Sequence, residues 1–270
     1  MHTRAMRRYA GPILAACVAL TSLAACGNGQ TNKSGTFYGA PQSIGNGTVK
    51  TYTTLDNAGN PTEVGIRMSA TSLEGLPQED AVPPRMLILD FPKQASTTAF
   101  DHVMLNWNSH GHEPAELFGK PHFDMHFYMV NPAAVMQIDP SKADFATRAA
   151  HLPDQKYVPR DYVTPPGSPV ENTVPNMGLH WLDATEGFVP GKYDFKQTLI
   201  NGSWDGTYLF IEPMLTREWM LTKPAVQEGI KQPQSYQKTA YYPTTYNVHY
   251  DGQANEYAIS LGGLTMRHSS

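Results

Sequence analysis

Pro121-His122-Phe123-Asp124-Met125-His126-Phe127-Tyr128 is the stretch on which the reading of this chain turns. As a β-strand it sorts into two unlike faces, because successive side chains point to opposite sides of a sheet. Phe123, Met125 and Phe127, continued by Met129, make one face apolar, while His122, Asp124, His126 and Tyr128 make the other. A solvated strand carries Lys, Glu, Thr or Ser on its polar side. Imidazoles and a carboxylate opposite an apolar row instead describe a strand that backs onto a core and lines a metal pocket. At about 3.3 Å per residue, His122 and His126 stand roughly 13 Å apart at the backbone. Two imidazoles at that distance do not converge on one ion unless a bulge bends the strand. Asp124 is about 7 Å from each and can pair with either.

Three further segments supply ligands of the same kinds: His110-Gly111-His112-Glu113-Pro114-Ala115-Glu116, Met177-Gly178-Leu179-His180-Trp181 and Phe210-Ile211-Glu212-Pro213. The candidate metal ligands are His112, His122, Asp124, His126 and His180. Imidazole with carboxylate suits a divalent ion such as zinc, iron or manganese. Glu212, beside two aromatic residues, is the candidate for moving protons, and Tyr128 and Trp181 are the candidate walls of a small-molecule pocket. Each has a structural reading too. His180 between Leu179 and Trp181 suits a satisfied core histidine, His112 between Gly111 and Pro114 a loop brace, and Glu212 a salt bridge or cap. Asp124 can serve by orienting an imidazole. His102, His151, His249 and His268 are isolated and read as structural or exposed.

The chain's 270 residues begin with Arg4, Arg7 and Arg8, an apolar run from Ile13 to Leu20 and no acidic residue through Cys26. Such a start reads as a secretory signal, too short to span a membrane permanently. Its end, Leu23-Ala24-Ala25-Cys26, resembles the lipobox of bacterial lipoproteins. That resemblance implies a signal over residues 1–25, acylation of Cys26, and a cell-envelope protein held to a bacterial membrane by its lipid alone. Removing residues 1–25 takes 3 of the 20 basic side chains, leaving 17 against 24 acidic ones. That balance argues against nucleic acid, which is gripped by clustered Lys and Arg. The two cysteines, Cys17 and Cys26, both lie in the export segment, so ligands in the folded part are His, Asp and Glu.

Residues 26–47, rich in Gly, Asn, Ser and Gln, read as a flexible tether, and residues 48–270 as one β-rich domain. Thr48–Thr54 and Thr62–Ala70 flank Asp56-Asn57-Ala58-Gly59-Asn60-Pro61 as a hairpin. Met86–Phe91, Val103–Asn108 and Thr207–Glu212 read as further strands. Tyr246, Val248 and Tyr250 alternate before Asp251-Gly252, and Tyr257 and Ile259 after it, which predicts a closing hairpin. Ser141, three residues before Asp144, predicts a capped helix that Pro153 stops after Leu152. Tyr157–Pro175, with five prolines, reads as a surface loop. The class is mainly β, a cupin-like β-barrel or a β-sandwich with one or two short helices.

Two resemblances bear on the site. His110, His112 and Glu116 reproduce the His-x-His and Glu spacing of the first cupin motif. Met104 and Phe123 stand where that motif has glycines, and Pro175-x-x-Gly178-x-His180 departs from the second motif. More of the chain is similar to an uncharacterised family of exported bacterial proteins, a domain of unknown function. The shared blocks are Gly111-His112-Glu113-Pro114, Pro121–Tyr128, Met177–Trp181 and Phe210–Met214, together spanning about residues 100–216. This implies a β-rich fold with a histidine-lined site and names no activity.

Three functions fit these residues: a lipid-anchored metalloenzyme acting on a small molecule, a metal-storing or metal-sensing protein, and a structural module rigidified by a histidine network. The sequence has no phosphate-binding Gly-rich loop, no Gly-x-Ser-x-Gly elbow and no His-Glu-x-x-His helix, so nucleotide, serine-hydrolase and zincin chemistries find no footing.

Overall fold

The alternation that opens the reading is realised in a computed structural model, which describes Met1 and residues 34–78 and 85–270. Residues 2–33, on which the expected signal and Cys26 fall, lie outside the described residues. Along the chain come β1 (Gly35–Tyr38), β2 (Gln42–Ile44), β3 (Gly47–Leu55), β4 (Pro61–Ser69), β5 (Arg85–Asp90) and β6 (His102–Asn108). Then follow β7 (His122–Tyr128), β8 (Tyr162–Val163), β9 (Thr173–Val174), β10 (Gly178–Asp183), β11 (Gln197–Trp204) and β12 (Thr207–Thr216). The last are β13 (Ala225–Gly229), β14 (Ala240–Tyr242), β15 (Thr245–Asp251), β16 (Glu256–Gly262) and β17 (Thr265–Arg267).

They assemble into a seven-stranded sheet, β1-β3-β4-β16-β15-β13 with β2 beside β3, and an eight-stranded sheet, β5-β6-β7-β12-β11-β10-β8 with β9 beside β10; β14 and β17 form a small pair. The expected hairpins are β3–β4 and β15–β16. Neither large sheet closes on itself, so the architecture is mainly β and sandwich-like. The apolar faces meet in one core cluster. Val49, Val64, Ile66, Met68, Val248, Tyr257, Ile259 and Leu261 come from the first sheet, and Leu89, Val103, Leu105, Trp107, Phe123, Met125, Phe127, Ile211 and Leu215 from the second. Phe123, Met125 and Phe127 are fully buried there, which is what their spacing on β7 demands.

The other face of the eight-stranded sheet is also covered. At one end Met104, Tyr128 and Phe210 pack with Val135, Ile138, Phe145, Ala149, Trp204 and Leu209. At the other, Ile200 and Met214 pack with Leu117, Phe118 and Phe195. The covering pieces are short helices: α1 (Ala115–Phe118), α2 (Pro132–Val135) and α3 (Phe145–Ala150), joined along the chain by α4 (Pro169–Asn172) and α5 (Arg217–Leu221). Asn131 caps α2 by accepting the Ala134 N–H, with Pro132 in the first turn, where its missing N–H costs nothing.

Several expectations need correction. The tether ends earlier than composition suggests, since Gly35–Tyr38 and Gln42–Ile44 both hydrogen-bond to β3; an edge strand needs pairing on one side only and tolerates polar residues. The helix expected from Ser141 begins at Phe145, with Asp144 at its N-cap, because the Ser141 N–H turns to Asp139 Oδ1 instead. The Tyr157–Pro175 loop contains two short strands and a capped helical turn, in which Ser168 and Glu171 satisfy each other's backbone N–H groups. Five short α-helices occur among the described residues, against an expected one or two.

Candidate metal centre

All six predicted metal and proton-transfer residues converge, but around two points. His126, His180 and Glu212 form one triad and His112, His122 and Asp124 another, each with its ligand atoms within 4.8 Å of one another. The spacing argument on β7 anticipates the division: His122 and His126 are too far apart to share an ion, and Asp124 sides with His122.

The inner triad is built by strand order. β7 pairs with β12 so that Phe210 faces Tyr128 and Met214 faces Asp124, a register that sets Glu212 beside His126. His180 comes from β10, on the far side of β11, where its partner is Gly202. A Cβ on Gly202 would fall 2.0–2.5 Å from the Phe210 ring, so glycine is what lets Phe210 lie flat and His180 reach over β11. The register shift between Gly202 and Ser203 adds a local bend. His126 Nε2 lies 3.4 Å from His180 Nε2, 3.3 Å from Glu212 Oε1, and His180 Nε2 is 3.5 Å from Glu212 Oε2. Metal–ligand bonds of about 2.0–2.2 Å at tetrahedral angles separate ligand atoms by about 3.3–3.6 Å. The contacts, made through both Glu212 oxygens, place the three side chains close enough to hold a metal ion together.

Its electrostatics point the same way. Burial, with His180 beside it, pushes His126 down to about 3. Burial and nearby His112 push His180 down to about 4. Both rings are therefore neutral near pH 7, with lone pairs free for a metal. Burial pushes the Glu212 carboxyl well above the ordinary range, and the charge on Asp124 adds to the effect. Glu212 Oε2 is buried without a hydrogen bond, while backbone groups of Met104 and Gly178 stand against the His126 and His180 rings. Metal-free, Glu212 therefore keeps its proton; ionised between two neutral imidazoles it would lack a counterion, which a divalent cation would supply.

In the outer triad the backbone fixes the tautomers. His122 Nδ1 lies 2.7 Å from the Lys120 carbonyl, and His112 Nδ1 lies 2.8 Å from the Glu113 carbonyl. Each Nδ1–H thus donates to a carbonyl, which leaves both Nε2 atoms facing one carboxylate. His122 Nε2 is 3.0 Å from Asp124 Oδ1 and His112 Nε2 is 3.6 Å from Asp124 Oδ2. Two acceptors face each other unless a cation, proton or metal, sits between them. Burial alone would raise Asp124, but the imidazoles of His122 and His112 hold it well below the ordinary range. Burial likewise opposes charge on His112, and Asp124 outweighs it, so His112 is raised. Solvent reaches each triad through one histidine, His112 with 40% of its side chain exposed and His180 with 18%.

Tyr128 stacks on His126 with ring centroids 5.5 Å apart and donates its hydroxyl to the Met177 carbonyl. Trp181 does not join it. Alternation along β10 turns Trp181 to the face opposite His180, where it packs with Val158, Tyr162 and Leu179 and donates Nε1–H to Ser203. The cupin-style set does not assemble either, since neither His110 nor Glu116 belongs to a triad. Phe210, which packs edge-on against both His126 and His180, takes the wall position instead. Two residues escape the sequence reading. Asn108 donates to Asp124 Oδ2 at 2.7 Å, and Asn106 stands across from Asp124. Alternation in His102-Val103-Met104-Leu105-Asn106-Trp107-Asn108 carries that signal, with both asparagines on the side opposite the core residues Val103, Leu105 and Trp107.

The profile of one uncharacterised family, described as TTHB210-like: Hypothetical protein TTHB210, matches residues 56–107. No curated protein and no solved structure matches the chain. The matched segment runs from the β3–β4 turn into β6 and ends before His112, so the similarity covers part of both sheets and none of the six candidate ligands.

Proposed function

We propose that this chain is a metal-binding protein of the bacterial cell envelope, carrying a zinc-type ion on His126, His180 and Glu212. One observation carries the reading: two neutral imidazole nitrogens and a buried carboxyl group, which can ionise when a cation binds, converge at 3.3–3.5 Å with no positive charge among them. That spacing supports a tetrahedral ion. The unpartnered Glu212 Oε2 weighs against a closed histidine network.

Three protein ligands and a side open through His180 match catalytic zinc sites, which keep a fourth position for water or substrate. The reading therefore extends to a metalloenzyme acting on a small molecule. The ion would polarise a substrate oxygen or acidify a bound water. Phe210 and Tyr128 exclude solvent and fix the His126 ring. Glu212, taken in sequence as the proton carrier, serves as a ligand here, and Asp124 with His112 is the pair nearest the opening that can hold a proton. Attachment through Cys26 would keep the site outside the cytoplasm.

Elemental analysis of untagged protein tests the centre. Wild type is expected to hold at least one equivalent of a divalent transition metal, and Glu212→Gln and His126→Ala to lose the inner ion. Equal metal content in wild type and both variants, or none in wild type, would sink it.

A further inference from the structure

Asp124 belongs to one triad and His126 to the other, yet both leave the same face of β7 two residues apart, about 7 Å at the backbone. The triads also act on each other: His112 bears on both inner imidazoles, and Asp124 on Glu212. Each triad supplies one carboxylate and two imidazoles, which are neutral when they bind a metal. A divalent ion on each would leave one positive charge per triad and two in the pocket as a whole. Charge left over in a desolvated site is costly until an anion neutralises it. Beside the seam, the amide oxygen of Asn106 is buried without a partner, so this side chain can accept a hydrogen bond from a donor next to Asp124.

We infer, resting on the proposed metal centre, that the two triads work as one two-ion pocket for a dianionic oxyanion of the phosphate type. One oxygen would turn to each ion, and the O–H of a hydrogenphosphate dianion would donate to the Asn106 amide oxygen. Ions that share a single oxygen sit about 3.5–4 Å apart. Ions set a strand step apart, on the order of 5–7 Å, are spanned better by a polyatomic anion. Phosphate carries nearly two negative charges at pH 7 and so matches the residual charge, whereas a monocarboxylate cancels half of it. Solvent access to the pair would come through the two partly exposed ligands, His112 and His180.

The test uses the full chain, untagged, in equilibrium dialysis against zinc, followed by calorimetric titration with inorganic phosphate. The expected result is two ions per chain, phosphate binding to the two-ion protein and none to the metal-free protein. His112→Ala and His180→Ala replace the two exposed ligands. Each should lower zinc to one ion and weaken phosphate at least tenfold. Circular dichroism checks that both variants fold, and His112, standing in a loop, decides the matter alone if His180→Ala does not. One ion per wild-type chain overturns the two-ion pocket and leaves the metal centre standing; no ion overturns both. Phosphate that ignores the two-ion protein, or binds the metal-free protein or a one-ion variant as tightly, also overturns the inference.

Discussion

Replacing Glu212 by glutamine separates charge from shape at the inner triad. The side chain is 1% exposed, and its oxygens stand 3.3 and 3.5 Å from two imidazole nitrogens that are neutral near pH 7. Without metal, nothing balances an ionised Glu212, so its carboxyl is held well above its ordinary value of 4.5. The unfolded chain then loses this proton before the folded chain does. By linkage, the metal-free protein loses stability as pH rises from about 4.5 through the raised folded pKa, and none is lost below that window. Glutamine keeps the volume and cannot ionise. At pH 8 the metal-free variant should match or exceed wild type, by up to about 1–3 kcal/mol. Zinc inverts the order. At a hundred times its Kd it stabilises wild type by about 2.7 kcal/mol, or about 5–11 °C in Tm at about 2–4 °C per kcal/mol, and the variant forfeits most of that gain. Thermal melts between pH 5 and 8, with zinc and with chelator, measure both effects. A metal-free variant melting far below wild type at pH 8, or a zinc shift undiminished by the substitution, would refute the reasoning.

Gly202→Ala would place a methyl group 2.0–2.5 Å from the Phe210 ring; a cost of about 1–3 kcal/mol should appear as a lower urea midpoint, together with weaker metal binding at His180. Asn108→Ala removes the donor that holds Asp124 Oδ2, and metal affinity at the outer triad should fall about 10–100-fold in competition titrations, with the inner triad unaffected. Phe127→Ala, fully buried between the sheets, should cost about 3–5 kcal/mol in chemical denaturation without altering metal stoichiometry. Cys26→Ser should release the chain from membranes on fractionation, and unchanged partitioning would count against the lipid anchor.

The strands with alternating or β-branched runs are legible in the sequence: the β3–β4 and β15–β16 hairpins, β5, β6 and β12 all stand where their residues suggest. Elements that depend on a partner are not. β1 (Gly-Thr-Phe-Tyr) and β2 (Gln-Ser-Ile) are too short to show a pattern of their own, and their strand character comes from pairing with β3. The helix near Ser141 shortens because a local Asx turn at Asp139 competes for the N–H that a cap would use. At the site, residue types are legible because imidazole and carboxylate on one strand face are rare without a purpose. Trp181 misleads because its neighbour His180 belongs to the centre, while adjacent residues on a strand face opposite ways.

The order of residues within β7 therefore determines by itself that Phe123, Met125 and Phe127 enter a core, that His122, Asp124 and His126 leave the other side, and that His122 and His126 serve different points. Those follow from a two-residue repeat and a fixed rise, properties of a single strand. Which distant residues complete each point is settled by the fold alone. The β7-β12-β11-β10 order carries Glu212 and His180 to His126, the loop before α1 brings His112 to Asp124, and a glycine on the intervening strand keeps the way clear. The pairings that complete the inner triad are non-local, joining His126 to residues 54 and 86 positions further along the chain, and no local pattern encodes them.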